Sequence, residues 1–290
     1  MYNLRYHVAS LVAVFLALTV GLLLGTVVAE RGTLEDQSST LVSDLQKQFA
    51  QIQKDNADLR SGLERDRSFA EDMVPALTAG VLDGKNVVVL VNTGRSNGLS
   101  AAVDAIEIAG GTAVVLTQES AGMGLDETIP EGLPALLGDS FAGQSTAPAS
   151  EAFKDAVAEA IATELRRAGN RPVLDLLIES DVISSDSTND IAEVDGCVLM
   201  TSFGGQPDDL SAKIAGALGV HGAVVVGAEA TSQVTGVAAE SVDRGFSALD
   251  NVDTPQGAYS LVWLLTGRAS GYFGVGPGTD AVYPAVVTGG

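Results

Sequence analysis

Asn86-Val87-Val88-Val89-Leu90-Val91 is an almost wholly apolar run that stands between Lys85 and Asn92. Runs of the same kind recur later in the chain, at Ala113–Leu116, Val173–Ile178, Cys197–Met200 and Ala223–Val226. Apolar side chains that follow one another without alternation are typical of strands buried on both faces of a parallel sheet. The five runs therefore predict five strands of such a sheet.

Helical patterns separate these runs. They are Ser100–Ala109, Glu151–Arg167, Asp209–Leu218 and a helix that begins after Thr254. Ser150 is placed to cap the second helix and Gly169 to stop it, while Thr254 and Pro255 form a typical helix start. The alternation of strands and helices over residues 85–290 predicts an α/β fold, with an open, mainly parallel, doubly wound sheet.

In a sheet of this kind, ligands bind at the carboxyl ends of the strands. The loops expected there are residues 92–98, 201–205 and 227–229. None of them contains a phosphate-binding P-loop or a GxGxxG fingerprint. Tight turns explain their glycines and asparagines most simply, and a small-ligand sensor that uses the crevice remains a weaker alternative.

The N-terminal segment Val8–Ala29 has no charged residue and is long enough to cross a bilayer as a helix. Arg5 precedes it and Glu30 follows it, so the positive-inside rule places residues 1–7 in the cytoplasm and residues 30–290 outside. A cleaved signal peptide is the rival interpretation, because Val27-Val28-Ala29 resembles a cleavage site. The apolar run exceeds a signal core in length, which favours an uncleaved single-pass anchor in the cell membrane.

Small residues recur at every fourth position of this span. They are Ala13, Ala17, Gly21 and Gly25. Small side chains let two membrane helices approach closely, so this pattern favours a homodimer through the span. Glycine and alanine are also common in membrane helices generally, which is the plainer explanation of the same pattern.

Residues 30–74 form a predicted coiled-coil stalk. Leu45, Ile52 and Leu59 stand seven residues apart, which is heptad spacing. The intervening positions Gln48 and Asp55 are polar, so the coil should be marginal alone. The membrane helix would raise its local concentration and help it pair, which predicts a homodimer through both span and stalk. A single amphipathic helix that lies on its own globular domain is the alternative. Pro75 is expected to end the helix and residues 78–84 to form a hinge.

Composition excludes several classes of function. The formal net charge is −21, from 37 acidic and 16 basic residues, and such a surface repels nucleic acid. One cysteine and two histidines allow neither an intramolecular disulfide nor a histidine metal cage. Cys197 and Met200 lie three apart in a predicted strand and so face opposite sides.

His221 is the one histidine beyond the span and is interpreted as a structural or surface residue. Asp250-Asn251-Val252-Asp253-Thr254 offers oxygens to a hard cation, but a turn followed by a helix cap explains this stretch more simply. The residues therefore predict a non-enzymatic protein with no catalytic residue, no metal site and no cofactor.

Three stretches carry a family resemblance. They are Met1–Leu11, Ser247–Thr254 with Gly257, and Gly271–Gly274. With the order of span, stalk and α/β domain, they make the whole chain resemble the actinobacterial MctB family, also called SteB. The resemblance implies two different functions, one in copper efflux and resistance and the other in cell division.

In the second function, the resemblance implies a cytoplasmic SteA-like partner and a peptidoglycan endopeptidase that an external coiled coil activates. It brings no metal ligand and no catalytic residue to this chain. A stalk on a dimerising span suits this second function, with Leu45, Ile52, Leu59 and Leu63 as the expected partner-binding surface. Copper homeostasis stays the alternative, and copper is expected only through the resemblance.

Overall fold

The computed structural model describes residues 4–94, 97–119, 125, 129–138, 140–141, 149–186, 192–201, 210–232 and 236–285, with the backbone alone for 4–5 and 29–40. The chain divides into two compact units, Met1–Asp66 and Arg67–Gly290. The first unit is helical wherever it is described, and the second contains the sheet.

The helices are α1 Leu4–Thr78, α2 Leu99–Ile108, α3 Leu133–Leu136, α4 Glu151–Leu165, α5 Pro172–Glu179, α6 Leu210–Val220, α7 Val237–Asp243 and α8 Pro255–Leu265. The strands are β1 Asn86–Asn92, β2 Thr112–Gln118, β3 Ile183–Ser185, β4 Gly196–Leu199, β5 Val224–Ala228, β6 Ser247–Leu249 and β7 Tyr272–Phe273. Four of the five predicted strands are confirmed, as β1, β2, β4 and β5.

The strands form one sheet in the order β3-β2-β1-β4-β5-β6-β7. All neighbouring pairs are parallel except β2 and β3. In register, Val88 of β1 lies between Val114 of β2 and Cys197 of β4. The chain builds outward from β1 on one side and then returns to β4 on the other, so the topological switch point lies between β1 and β4. This arrangement confirms the predicted mixed α/β fold with a mostly parallel sheet.

Helices cover both faces of the sheet. On one face, Val88 and Leu90 pack in a core formed with α4, α5 and α6. On the other face, Val87, Val89 and Val91 pack with α2 and α8. Because both faces of β1 exclude water, nearly every position of the strand must be apolar, which is why the run does not alternate.

One predicted strand is wrong, because Val173–Ile178 lies inside helix α5. Pro172 occupies the first helical turn, where its missing N–H leaves no bond unmade. The buried carboxylate of Glu164 accepts the N–H groups of Val173 and Leu174, each at 3.0 Å. A short apolar run fits a buried strand and a buried helix equally well, and the capping carboxylate decides between them.

Pro75 does not end α1, which continues to Thr78. A proline inside a helix removes one backbone hydrogen bond, but the next turn still closes, since the Ala79 N–H donates to the Pro75 carbonyl at 2.9 Å. Residues 78–84, the predicted hinge, form a series of turns. Leu82 in these turns is buried, and its N–H donates to the Ala109 carbonyl.

The predicted cap of α8 is confirmed, and it gives a stability test. The Thr254 hydroxyl accepts the Gly257 N–H at 3.1 Å. Thr254→Ala should destabilise the domain by about 1 kcal/mol, because a helix N–H loses its acceptor. Urea denaturation followed by Trp263, the chain's one tryptophan and a residue of α8, measures this loss. Thr254→Ser keeps the hydroxyl and should unfold near the parent midpoint; equal destabilisation by both variants would exclude capping as the cause.

Candidate functional site

The four predicted stalk residues lie on one face of α1, in the first unit. The side chains of Leu45, Ile52, Leu59 and Leu63 are 45%, 55%, 68% and 68% exposed. Positions three, four and seven apart share one side of a helix, so the four form a continuous apolar stripe. Contiguous exposed apolar side chains mark interaction surfaces in soluble regions.

Two residues of this stripe were missed by the sequence reasoning. Val42 and Phe49 are 51% and 64% exposed, and each lies three or four residues from Leu45. The signal was present in the sequence as the alternating three-and-four spacing of a helix face. Placing the intervening positions at Gln48 and Asp55 passed over it.

The N-terminal part of α1 holds a stretch, Tyr6–Val28, that is long and apolar enough to cross a membrane, with a mean hydropathy of 2.7. Two of its polar side chains are satisfied within the helix, since the Thr19 hydroxyl donates to the Phe15 carbonyl and that of Thr26 to the Leu23 carbonyl. Internal satisfaction of this kind is what a bilayer interior requires.

The small residues Ala13, Ala17, Gly21 and Gly25 lie four apart along one side of this stretch and are exposed. A Cβ atom added at Gly21 or at Gly25 would meet no other atom within 4 Å. The face they form is therefore smooth and open, which allows another helix to approach closely.

At the switch point of the sheet, the ends of three elements bring polar side chains together. The Ser211 hydroxyl at the start of α6 lies 3.3 Å from Asn92 Oδ1 and 3.1 Å from Gln118 Oε1. Gln118 Oε1 also accepts the Ser211 N–H. Thr201, which follows β4, is fully buried, and its hydroxyl has no hydrogen-bond partner among the residues that the structure describes. This polar cluster is where the fold would place a ligand.

Two of the three candidate loops are described only in part, and the third, residues 227–229, is described completely. Residues 95–96 and 202–205 lie outside the described chain. In the third loop, Glu229 is buried and its carboxylate accepts the Ala238 N–H at 2.9 Å, at the start of α7. Gly227 is required beside it, because an added Cβ would collide with the Ser241 side chain. This loop therefore stabilises the fold.

The carboxylates of the Asp250–Thr254 stretch bind backbone and side-chain donors of their own domain. Asp250 accepts the N–H groups of Val275 and Gly276 at 2.8 Å each and the Tyr272 hydroxyl at 3.2 Å. Asp253 accepts both the N–H and the hydroxyl of Thr231. The turn and the helix cap are confirmed, and the long-range clamp from Asp250 to the C-terminal glycine loop is an addition that the sequence did not indicate.

The side chains that could bind a metal have different surroundings in the structure. His221 Nε2 is 2.6 Å from Glu159 Oε1 at the surface. Cys197 is fully buried in the middle of the sheet, and burial raises the pKa of its thiol, which disfavours the thiolate that binds metals. Met200 packs on the opposite face from Cys197. Among the described residues, no group of three histidine, cysteine or acidic side chains is placed to hold a metal ion.

Comparison with known proteins gives one family and one relative. The profile of the family described as "Copper transport outer membrane protein, MctB" matches residues 1–284. A protein of Mycobacterium leprae (strain TN), named Copper transporter MctB, is 28% identical over 326 aligned positions that cover 97% of this chain and 99% of the relative. No solved structure matches the chain.

The Asp250 clamp leads to a test in alkaline solution. Burial first, and then the charge of Asp250, raise the pKa of Tyr272 from its usual 10 to about 12. The folded state thus prefers the neutral phenol, so this group's stabilisation is complete below pH 10 and is lost as the pH rises through 12. Asp250→Asn removes the nearby negative charge and should lower the pKa of Tyr272, measured by tyrosinate absorbance.

Tyr272→Phe serves as the control for this titration, because it should abolish the highest of the tyrosine transitions. An unchanged highest transition in Asp250→Asn would show that the carboxylate does not act on Tyr272.

Proposed function

The chain belongs to the MctB family, and we propose that it is a membrane-anchored, non-enzymatic envelope scaffold whose stalk regulates cell-wall hydrolysis during cell division. The observation that carries this proposal is the exposed apolar stripe of α1. Val42, Leu45, Phe49, Ile52 and Leu59 are each at least 45% exposed. Apolar surface on this scale is unfavourable in water, so the stripe needs a protein to cover it.

The topology of the proposal follows from α1. Val8–Ala29, which overlaps the apolar stretch Tyr6–Val28, crosses the cell membrane once, uncleaved, with residues 1–7 in the cytoplasm. Residues 30–74 are the stalk and residues 85–290 the domain outside the membrane. The formal net charge of the whole chain is −21, and such an acidic protein is repelled by anionic lipid, so attachment rests on the span.

Two hetero-partners are part of the proposal. The cytoplasmic tail and the span bind a SteA-like protein at the membrane, and the stalk recruits a peptidoglycan endopeptidase. Leu45, Ile52, Leu59 and Leu63 form the surface on which this recruitment depends. The membrane face of Ala13, Ala17, Gly21 and Gly25 brings two copies together and raises the local concentration of their stalks.

The scaffold acts without catalysis of its own. His221, the one histidine beyond the span, is engaged by Glu159, and Cys197 is buried as a thiol. Neither is placed with a base and an orienting group as a nucleophile requires. Regulation would therefore pass through contact with the hydrolase.

Copper homeostasis is the second candidate, and the names of the family and of the Mycobacterium leprae relative favour it. Soft copper sites use cysteine, methionine and histidine close together. In the described part of the chain, Cys197 and Met200 pack on opposite faces of the sheet, and His221 lies at the surface beside Glu159. The names of the family and of the relative support this candidate more than the side chains do.

Replacing Leu45, Ile52, Leu59 and Leu63 together by Ser should abolish capture of the endopeptidase and leave cells chained or misdivided, because the apolar surface is lost. Pull-down from membranes and light microscopy measure the two effects. A matched control places four Ser residues on the outer side of the same helix, at Lys47, Gln51, Lys54 and Asp58. Normal division and capture in the first variant would contradict the proposal.

Titration of the intact chain in detergent with Cu(I), against a competing chelator, separates the two candidates. The scaffold proposal expects weak binding that is equal in the parent and in Cys197→Ser, because the buried thiol does not reach solvent. Stoichiometric binding that outcompetes the chelator and disappears in Cys197→Ser would instead support the copper function.

A further inference from the structure

The apolar stripe of α1 has a complete heptad pattern. Counting by alternate steps of four and three places Val42, Phe49, Asn56 and Leu63 at one set of core positions, called a, and Leu45, Ile52 and Leu59 at the other, called d. In this register Gln48 and Asp55, the polar residues expected between the leucines, flank the seam rather than fill it. All seven a and d side chains are exposed on the single helix.

We propose that a second copy of this chain covers the stripe, in a parallel, in-register, two-stranded coiled coil whose alignment is set by a pair of Asn56 side chains. The inference rests on the proposed stalk and deepens it by naming the occupant of its apolar face. It differs from pairing through the span alone because it fixes orientation and register.

Asn56 is the polar member of an otherwise apolar seam. Burying an amide among leucines is unfavourable unless the amide finds a hydrogen-bond partner. In the single helix its Nδ2 donates to the Ile52 carbonyl at 3.1 Å, which leaves Oδ1 to accept from the other copy. Only a parallel pair without stagger brings Asn56 opposite itself, and a lone asparagine at an a position is a known determinant of register and of two-stranded assembly.

The charges beside Asn56 favour the same orientation. Asp55 and Arg60 occupy the flanking g and e positions, five residues apart. In a parallel, in-register pair, each g residue faces the e residue five positions later on the other copy, so Asp55 meets Arg60 on both sides of the seam. An antiparallel pair places e beside e and g beside g, and it loses this attraction.

Asp66 sets the end of the paired region. It takes the next d position after Leu59, where two copies would bring like charges together in an apolar seam. The seam therefore runs from Val42 to Leu63, about three heptads, a length that is marginal by itself and depends on the span for local concentration. Within the pair, Leu45, Ile52, Leu59 and Leu63 contact their own counterparts, so capture of the hydrolase depends on these four residues through assembly of the stalk.

Cysteine crosslinking of the full-length protein in detergent tests the arrangement. Under a mild oxidant, Ile52→Cys should form a disulfide dimer, because equivalent d positions face each other closely. Lys54→Cys on the outer face should not, and the parent with its buried Cys197 is the blank. A mixture of separately tagged Leu45→Cys and Leu59→Cys chains should give only same-residue crosslinks. Mixed crosslinks would show a pair shifted by two heptads, and a lack of same-residue crosslinks would point to an antiparallel pair, in which a positions face d positions. Either result would overturn the proposal, as would a monomeric Ile52→Cys protein.

Asn56→Val tests the role of the polar pair. It should preserve or raise dimer stability while losing specificity, so that mixed Leu45–Leu59 crosslinks or larger oligomers appear. Unchanged specificity would remove Asn56 as the determinant. Asp55→Arg and Arg60→Asp should each weaken the Ile52→Cys crosslink, and the double variant should restore it; failure of that rescue would contradict the parallel register.

Capture of the endopeptidase, measured on the same variants, separates this inference from the proposed function. Crosslinking as expected without any capture by the parent protein would overturn the hydrolase role and leave the paired stalk standing. Capture by a stalk that gives no crosslinks would overturn the paired stalk and support the hydrolase role.

Discussion

Uncovered apolar surface on α1 is the constraint on which the rest of this molecule depends. Each exposed leucine or phenylalanine carries roughly 1.5–3 kcal/mol that burial would release. Tyr6–Val28 is long and apolar enough to bury its side chains in lipid, whereas the exposed stripe from Val42 to Leu63 lies beyond that stretch, and a protein surface would be needed to cover it. A single copy of the helix therefore leaves apolar surface exposed, and its function depends on what covers that surface.

The second unit covers the apolar surface of its sheet with its own helices. β1 and β4 lie between two cores, so their side chains need no partner outside the domain. The edge at β7 is short, and Asp250 holds the glycine loop that follows it through the Val275 and Gly276 N–H groups. Gly274 and Gly276 are needed there, since an added Cβ at either would collide with the Asp250 carboxylate. Asp250 and Gly274 lie in two of the stretches that carry the family resemblance, and they stabilise this edge of the sheet.

The fold was predictable where the signal is local. β1, β2, β4 and β5 followed from continuous apolar runs, and the caps at Ser150 and Thr254 followed from side-chain chemistry. Val173–Ile178 was wrong because its helix depends on Glu164, a contact that the apolar pattern of the run itself does not contain. The Asp250 clamp joins residues some 25 positions apart, and nothing in either stretch indicates the other.

Part of the candidate site was predictable from local sequence spacing, and part was not. Leu45, Ile52, Leu59 and Leu63 were found from their spacing, and their exposure on one helix face agrees with an interaction surface. Phe49 and Asn56 were missed because the intervening positions were placed one residue earlier, at Gln48 and Asp55. The polar cluster of Asn92, Gln118 and Ser211 could not be foreseen, since it depends on which strands become neighbours.

The two candidate functions share one physical requirement. A single membrane helix cannot enclose a path for an ion, because a pore needs several segments around a polar interior. Copper movement by this chain would therefore require several copies, and so would a stalk that presents a defined surface to a hydrolase. In the proposed paired stalk, Asn56 and the Asp55–Arg60 charges would align those copies, and the small residues of the apolar stretch Tyr6–Val28 would do the same within a membrane. Both proposals therefore make assembly along α1 a condition of activity.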